Sequence, residues 1–175
     1  MSVIQGKTST LYSLNESGLF GKRYVGYFAD DVKWWDTAQL QGQTNLTTNI
    51  TSFTSGGDFY SWQWMGYFRP NVTGTWTFYT TSDDASYLWI GNTSVIGYTT
   101  SNALVNNGGL HPSIKTSGTI SLNADIYYPI RIMFGELTGG DVMSVSFTPP
   151  GGIETGDGLG YYFGGRYAWD AIIGR

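Results

Sequence analysis

Two neighbouring acids, Asp83 and Asp84, are the residues whose type and spacing most suit chemistry. They sit between two strand-like runs, Gly74-Thr75-Trp76-Thr77-Phe78-Tyr79-Thr80 and Tyr87-Leu88-Trp89-Ile90-Gly91. Consecutive side chains of an extended strand point to opposite faces. Adjacent carboxylates therefore diverge unless the backbone leaves strand geometry, at a strand end or through an unusual peptide bond. Converging, they suit a divalent cation; diverging, they form a solvated turn in which one Asp caps backbone amides. The remaining chemistry-bearing residues argue against catalysis. A glycosidase holds its carboxyls about 5–10 Å apart across a cleft, and neighbouring Asp on one loop are too close for that. The single histidine, His111 before Pro112, leaves no histidine pair for zinc. Neither a serine elbow nor a phosphate-cradling Gly loop ending in Lys-Ser/Thr occurs. The chain is expected not to be an enzyme.

The elements that must position this pair read as all-β. Among 175 residues, 17% are aromatic, 25 are Gly and only 13% are charged, which favours short strands joined by polar turns over helix bundles. Phe59 to Phe68 alternates, with Tyr60, Trp62, Trp64 and Phe68 on one face. Arg69 to Gly74 reads as a turn, and Trp76 to Thr81 and Tyr87 to Ile90 as the strands flanking the acids. Gly97 to Gly109 reads as a long loop. Further strands are expected at Thr119 to Leu122, at Tyr127 to Phe134, where Tyr128, Ile130, Ile132 and Phe134 share a face, and at Val142 to Thr148. Strands at this spacing predict an antiparallel β-sandwich with long loops at one end. One domain is expected: an arm over 1–17, the sandwich over 18–150, and a Gly-rich, aromatic segment over 151–175.

Composition also narrows the partners. The net charge is −4 and the nine Lys and Arg are scattered, so the basic stripe of a nucleic-acid binder is missing. With no Cys, thiol catalysis, disulfides and iron–sulfur clusters are excluded. No apolar run approaches the ~18 residues of a membrane span, and Met1 to Leu14 has no apolar stretch like a signal peptide. A removed leader or another export route, such as assembly into a virus particle, is expected.

Several motifs together resemble the anthrax protective-antigen type of β-sandwich, the PA-fourteen fold. These are Gly18-Leu19-Phe20-Gly21 with Tyr24, Gly66-Tyr67-Phe68 with Pro70, Gly74 to Phe78, Ser82-Asp83-Asp84, Leu88 to Gly91, and Tyr127 to Ile132. Gly158 to Phe163 is similar to that family's returning terminal strand. Flocculins and adhesins of the family are calcium-dependent lectins whose adjacent Asp are joined by a cis peptide. The resemblance implies a Ca2+ site built from Asp83, Asp84 and Glu136, with carbonyls from Thr138 and Gly140 and with Asp141 as a further candidate. Glu136 stands where fungal lectins hold an Asn. Vicinal sugar hydroxyls would complete the shell of six to eight oxygens that calcium takes. Trp34, Trp35, Trp89, Tyr98 and His111 are candidates for a rim that stacks on the sugar.

Two functions follow as expectations. One is a calcium-dependent, sugar-binding adhesion module whose partner is a cell-surface glycan or polysaccharide, at an extracellular, cell or virion surface, with no nucleic acid and no membrane insertion. The other is a structural or receptor-binding component of a phage virion or other large assembly. There, the aromatic tail Tyr161 to Ile173 would dock on a neighbouring subunit.

Overall fold

The structure is a computed structural model that describes residues 16–164. Eleven strands run in chain order: β1 (Glu16–Ser17), β2 (Leu19–Val25), β3 (Leu40–Thr47), β4 (Tyr60–Phe68), β5 (Gly74–Asp83), β6 (Ser86–Ile90), β7 (Val105–Asn107), β8 (Ile114–Leu122), β9 (Tyr128–Glu136), β10 (Val142–Thr148) and β11 (Tyr162–Gly164). Single 3-10 turns lie at Trp34–Asp36, Asn92–Ser94 and Thr100–Asn102. One sheet has eight strands, ordered β1-β11-β4-β9-β6-β7, with β2 also paired to β4 and β3 to β2; the other is β10-β5-β8. Every pairing is antiparallel, so the expected all-β sandwich is the observed architecture.

Alternation builds the core between the sheets. Tyr60, Trp62, Trp64 and Phe68 of β4 and Ile130, Ile132 and Phe134 of β9 pack against Trp76 and Phe78 of β5 and Met143, Val145 and Phe147 of β10. Phe68 alone meets Trp76, Phe78 and Phe147 edge-on, with ring centroids 4.9–5.3 Å apart. The large sheet is buried on its outer face too. There Tyr24, Phe28, Trp35, Tyr87, Trp89 and Met133 form a second cluster under folded-back loops.

One strand lies in a stretch without strand-like alternation, and two expectations about elements change. The polar stretch from Gln39 to Gly57 contains a full strand, β3, paired only with β2 on the sheet edge. An edge strand with little to bury needs no apolar alternation. The long loop from Gly97 to Gly109 contains a capped 3-10 turn at Thr100–Asn102 and β7, which pairs with β6. Glu16 and Ser17, the end of the expected arm, pair with β11, and β11 returns onto β4. The rest of the arm and the tail from residue 165 onward, which carries most of the expected docking segment, lie outside the described residues.

Two connections cross between the sheets at the same end. β5 leads into β6, and β9 into β10. In the small sheet Asp83 pairs with Val142, and in the large sheet Ser86 pairs with Phe134. Register alone therefore lays the two crossings side by side.

Candidate metal centre at the sandwich rim

The acids stand where the core stripe runs out. On β9 the inward positions Ile130, Ile132 and Phe134 continue to Glu136. On β5 the inward positions Trp76 and Phe78 give way to buried Thr80 and Ser82, and then Asp84. Two residues before Met143 of β10 stands Asp141. Polar residues make the floor beneath. Ser86 Oγ donates to Thr80 Oγ1 (2.9 Å) and lies 2.7 Å from Ser82 Oγ, and Asn107 Nδ2 donates to Ser82 Oγ (3.0 Å) and to the Ile114 carbonyl (2.9 Å). This rim is thus polar by construction and pairs its own hydrogen bonds.

The Asp83–Asp84 peptide bond is cis. One carboxylate oxygen from each of Asp83, Asp84 and Glu136 lies within 4.8 Å of the others. Asp84 is tied to both neighbouring loops, its Oδ1 accepting from the His111 amide (3.2 Å) and its Oδ2 from the Leu137 amide (3.0 Å). Gly140 of the other crossing is so close that a Cβ built on it would stand 3.7 Å from Asp83 Oδ2. The two hairpin tips therefore meet.

Glu136 is fully buried, and neither of its carboxylate oxygens has a hydrogen-bond partner among the described residues. Burial, followed by the charges of Asp84, Asp83 and Asp141, pushes its pKa up to about 7. The Asp84 backbone N–H pulls the other way without reaching hydrogen-bond geometry. Burial and the Asp84 charge also raise Asp83, while His111 opposes them. A buried carboxylate without a donor is costly, and three acids drawn together multiply the cost. A cation removes it. With oxygen donors only and no nitrogen or sulfur, the set fits a hard ion such as Ca2+.

Not every candidate joins this centre. Asp141 stands beside it. Its Oδ2 accepts from Tyr60 Oη (2.5 Å) and from the Ser55 (2.9 Å) and Gly56 (3.0 Å) amides. Burial pushes this carboxyl up, but those three hydrogen bonds outweigh it and hold the pKa below the usual value. Thr138 is exposed on the β9–β10 connection with no contact placing its carbonyl at the acids. His111 is at the edge, through its amide.

The aromatic rim candidates need correction. Trp89 is fully buried on the outer face of β6, stacked on Tyr87 and donating its Nε1 to the Thr99 carbonyl (2.9 Å) and Asn102 Oδ1 (3.0 Å). Trp35 is buried against Tyr24 and Phe28, with Trp34 edge-on to it at 5.0 Å. Tyr98 covers Arg131 on that same outer face. Loops folded over the sheet hold these rings on its outer face, away from the acids, with Trp35 and Trp89 buried and Trp34 and Tyr98 half-buried.

Two aromatic residues at the rim were not singled out from sequence. Tyr27 lies within electrostatic reach of the acids: burial first, then the charges of Asp30, Asp84 and Glu136, drive its hydroxyl pKa upward. Phe59 is 56% exposed and held at φ +55°. Its amide donates to the Leu137 carbonyl (3.0 Å), next to Glu136, and its carbonyl accepts from the Gly26 amide (2.8 Å). Alternation hid Phe59, because it reads as the first residue of β4.

Comparison with known proteins places the fold. The GLEYA domain profile matches residues 60–149, just over half of the chain. The flocculation protein FLO1 of Saccharomyces cerevisiae is 26% identical over 147 residues, 75% of this chain but only 9% of FLO1. FLO9 of the same yeast is matched over 11% of its length, so the chain spans about a tenth of these relatives. Among solved structures, the epithelial adhesin 6 A domain of Candida glabrata, in complex with Galb1-3GlcNAc, superposes with a TM-score of 0.71 at 20% identity, covering 85% of this chain and 87% of that one. A PA14 sugar-binding domain from an RTX adhesin superposes with a TM-score of 0.69 at 14% identity, covering 85% and 99%. These relatives are adhesion and flocculation proteins rather than enzymes. The resemblance read from the motifs around Asp83-Asp84 agrees with both comparisons, and the chain belongs to the GLEYA domain family.

Proposed function

We propose that this chain is a calcium-dependent carbohydrate-binding adhesion domain. Asp83, Asp84 and Glu136 would hold the ion, with the Gly140 carbonyl the best placed of the expected backbone donors. The observation that carries this reading is the pair of Glu136 oxygens, buried, unpartnered and within reach of two further carboxylates. A hard cation there supplies a positive centre with room for hydroxyl oxygens of a saccharide. The protein's own groups do the rest. The His111 and Leu137 amides fix the Asp84 carboxylate. Phe59, exposed beside Leu137, offers an apolar face to a sugar ring.

The ligand class is a cell-surface glycan presenting vicinal hydroxyls. The adhesin 6 domain was solved with such a saccharide, and the flocculation relatives support a place at a cell surface. No helix among the described residues is long and apolar enough to cross a membrane. A glycan array with and without chelator tests the proposal. Signal that disappears in chelator and in an Asp83→Ala variant is expected. Undiminished signal in excess chelator ends the calcium reading.

A further inference from the structure

We propose a second carbohydrate subsite, for an acidic sugar residue of the uronic acid class, in a slot on the outer face of the large sheet. It is independent of the calcium reading. The slot is a cavity of about 340 Å³. It lies far from the acids: Arg131 on its floor is five residues back along β9 from Glu136, roughly 16 Å, and on the opposite face of the sheet.

Register builds the floor. Lys22 of β2 pairs with Gln63 of β4, and Met65 of β4 pairs with Arg131 of β9. The walls come from the turn carrying Trp35 and Asp36 and from the segment carrying Ile96 and Tyr98. Gln63 and Arg131 are buried, at 4% and 3% exposure, although both line the cavity.

The polar floor is held in one orientation. Arg131 Nε donates to the Ser94 carbonyl (2.7 Å), its Nη1 donates to Gln63 Oε1 (3.0 Å), and its guanidinium lies 4.2 Å from the Tyr98 ring centroid. Arginine can only donate, so the amide oxygen of Gln63 must face it and the amide nitrogen must turn away. That nitrogen has no hydrogen-bond partner among the described residues. Lys22, its cross-strand neighbour, makes no ion pair among the described residues, and its ammonium lies 5.9 Å from the Phe20 ring. Two donors, one of them charged, thus belong to directly paired strand positions without a hydrogen-bonded or ion-paired acceptor among the described residues.

This arrangement selects a ligand. Paired donors of this kind suit a carboxylate. Half-buried Tyr98 supplies aromatic surface for the C–H face of a ring, backed by the buried rings of Tyr24 and Trp35. Two cations face one carboxylate, Asp36, in the lining, so the slot is locally positive in a chain of net charge −4. A carboxylated sugar ring meets all of these demands, whereas a neutral sugar leaves the Lys22 charge unanswered.

The test is isotope-edited NMR on the full chain in excess chelator, titrating D-glucuronate and, in parallel, D-glucose. Chelator removes any calcium-borne contribution, and the Gln63 resonance assigns the binding seen to the slot whether or not the rim site needs calcium. Glucuronate should shift the Gln63 side-chain amide resonance saturably, with glucose much weaker. Lys22→Ala should weaken glucuronate about fivefold, the worth of a partly exposed ion pair, and Lys22→Arg should retain it. Lys22→Ala should leave calcium-dependent glycan binding unchanged. No saturable shift at Gln63, equal response to glucose, or glucuronate binding indifferent to Lys22→Ala would each overturn the proposal. None of these outcomes bears on the calcium centre.

Discussion

Glu136 and Asp141 end the same connection, five residues apart, and their surroundings are opposite. Asp141 accepts three hydrogen bonds through one oxygen, from Tyr60 and from the Ser55 and Gly56 amides. Glu136, more deeply buried, accepts none among the described residues. The first carboxylate fastens the loop before β4 onto the β9–β10 connection, and its pKa is held down. The second has nothing to do in the bare protein except raise its own pKa. On the proposed reading, the contrast separates a group that stabilises the fold from a group kept for a ligand.

The sharpest way to break that contrast is to exchange charges. Glu136→Gln should weaken calcium binding at least a hundredfold, about 3 kcal/mol. At pH 8 it should leave the calcium-free protein as stable as before or more so, by at most about 3 kcal/mol, because a buried uncompensated charge is gone. Asp141→Ala should do the reverse. It strands the Tyr60 hydroxyl and two amides, costing about 2–3 kcal/mol and roughly 5–10 °C in Tm, while calcium affinity falls far less than in Glu136→Gln. Calorimetric titration with calcium and thermal melts in chelator read both. If Glu136→Gln melts well below the parent in chelator, Glu136 is a structural group and the comparison fails.

The same contrast predicts opposite pH behaviour. Glu136 has a folded pKa near 7, above the ordinary 4.5. Its contribution to stability is therefore fully present below about pH 4.5 and is lost as pH rises through 7. Asp141 has a lowered pKa, so its contribution is present above the ordinary Asp range and is lost as pH falls through the depressed value. Calcium must displace the Glu136 proton. Affinity should be flat above about pH 8 and fall by about tenfold for each unit below pH 7 while that one proton is released. A pH titration of calcium affinity that stays level from pH 8 to pH 5 would exclude Glu136 from the ligand set.

How much of this was legible beforehand depends on what each residue packs against. Strands β4, β9 and β10 were readable because one face of each meets a core, so Trp62, Ile132 and Val145 impose alternation. Strand β3 was not, because an edge strand paired only to β2 has no such demand. Asp83-Asp84 stood out as a doublet between strands, but Glu136 after Gly135 looked like an ordinary loop acid and entered only through the family resemblance. Its place is set by β9 running two residues further than expected, to Glu136. Trp35, Trp89 and Tyr98 were placed at the wrong edge because a sequence shows the outward face of a strand and not the loops that fold back to roof it. Those loops also create the slot over Gln63 and Arg131.

The smallest expected effect concerns Phe59. Its ring is solvent-exposed where burial would normally stabilise it, and its backbone sits in the left-handed region, which is unusual for a bulky residue. Both of its backbone groups are pinned, to Leu137 beside Glu136 and to Gly26 beside Tyr27. A side chain held outward in this way contributes little to the core. Phe59→Ala should therefore leave the thermal midpoint and the calcium affinity near the parent values, and should weaken glycan binding about three- to tenfold, the range of an aromatic contact. Phe59→Tyr should keep the affinity, since the ring face is retained. Glycan titrations at saturating calcium separate the possibilities. Unchanged affinity in Phe59→Ala would remove Phe59 from the saccharide site while leaving the contrast between Glu136 and Asp141 intact. A matching loss of calcium affinity would instead show that the loop before β4 positions the carboxylates and that its exposed ring is incidental.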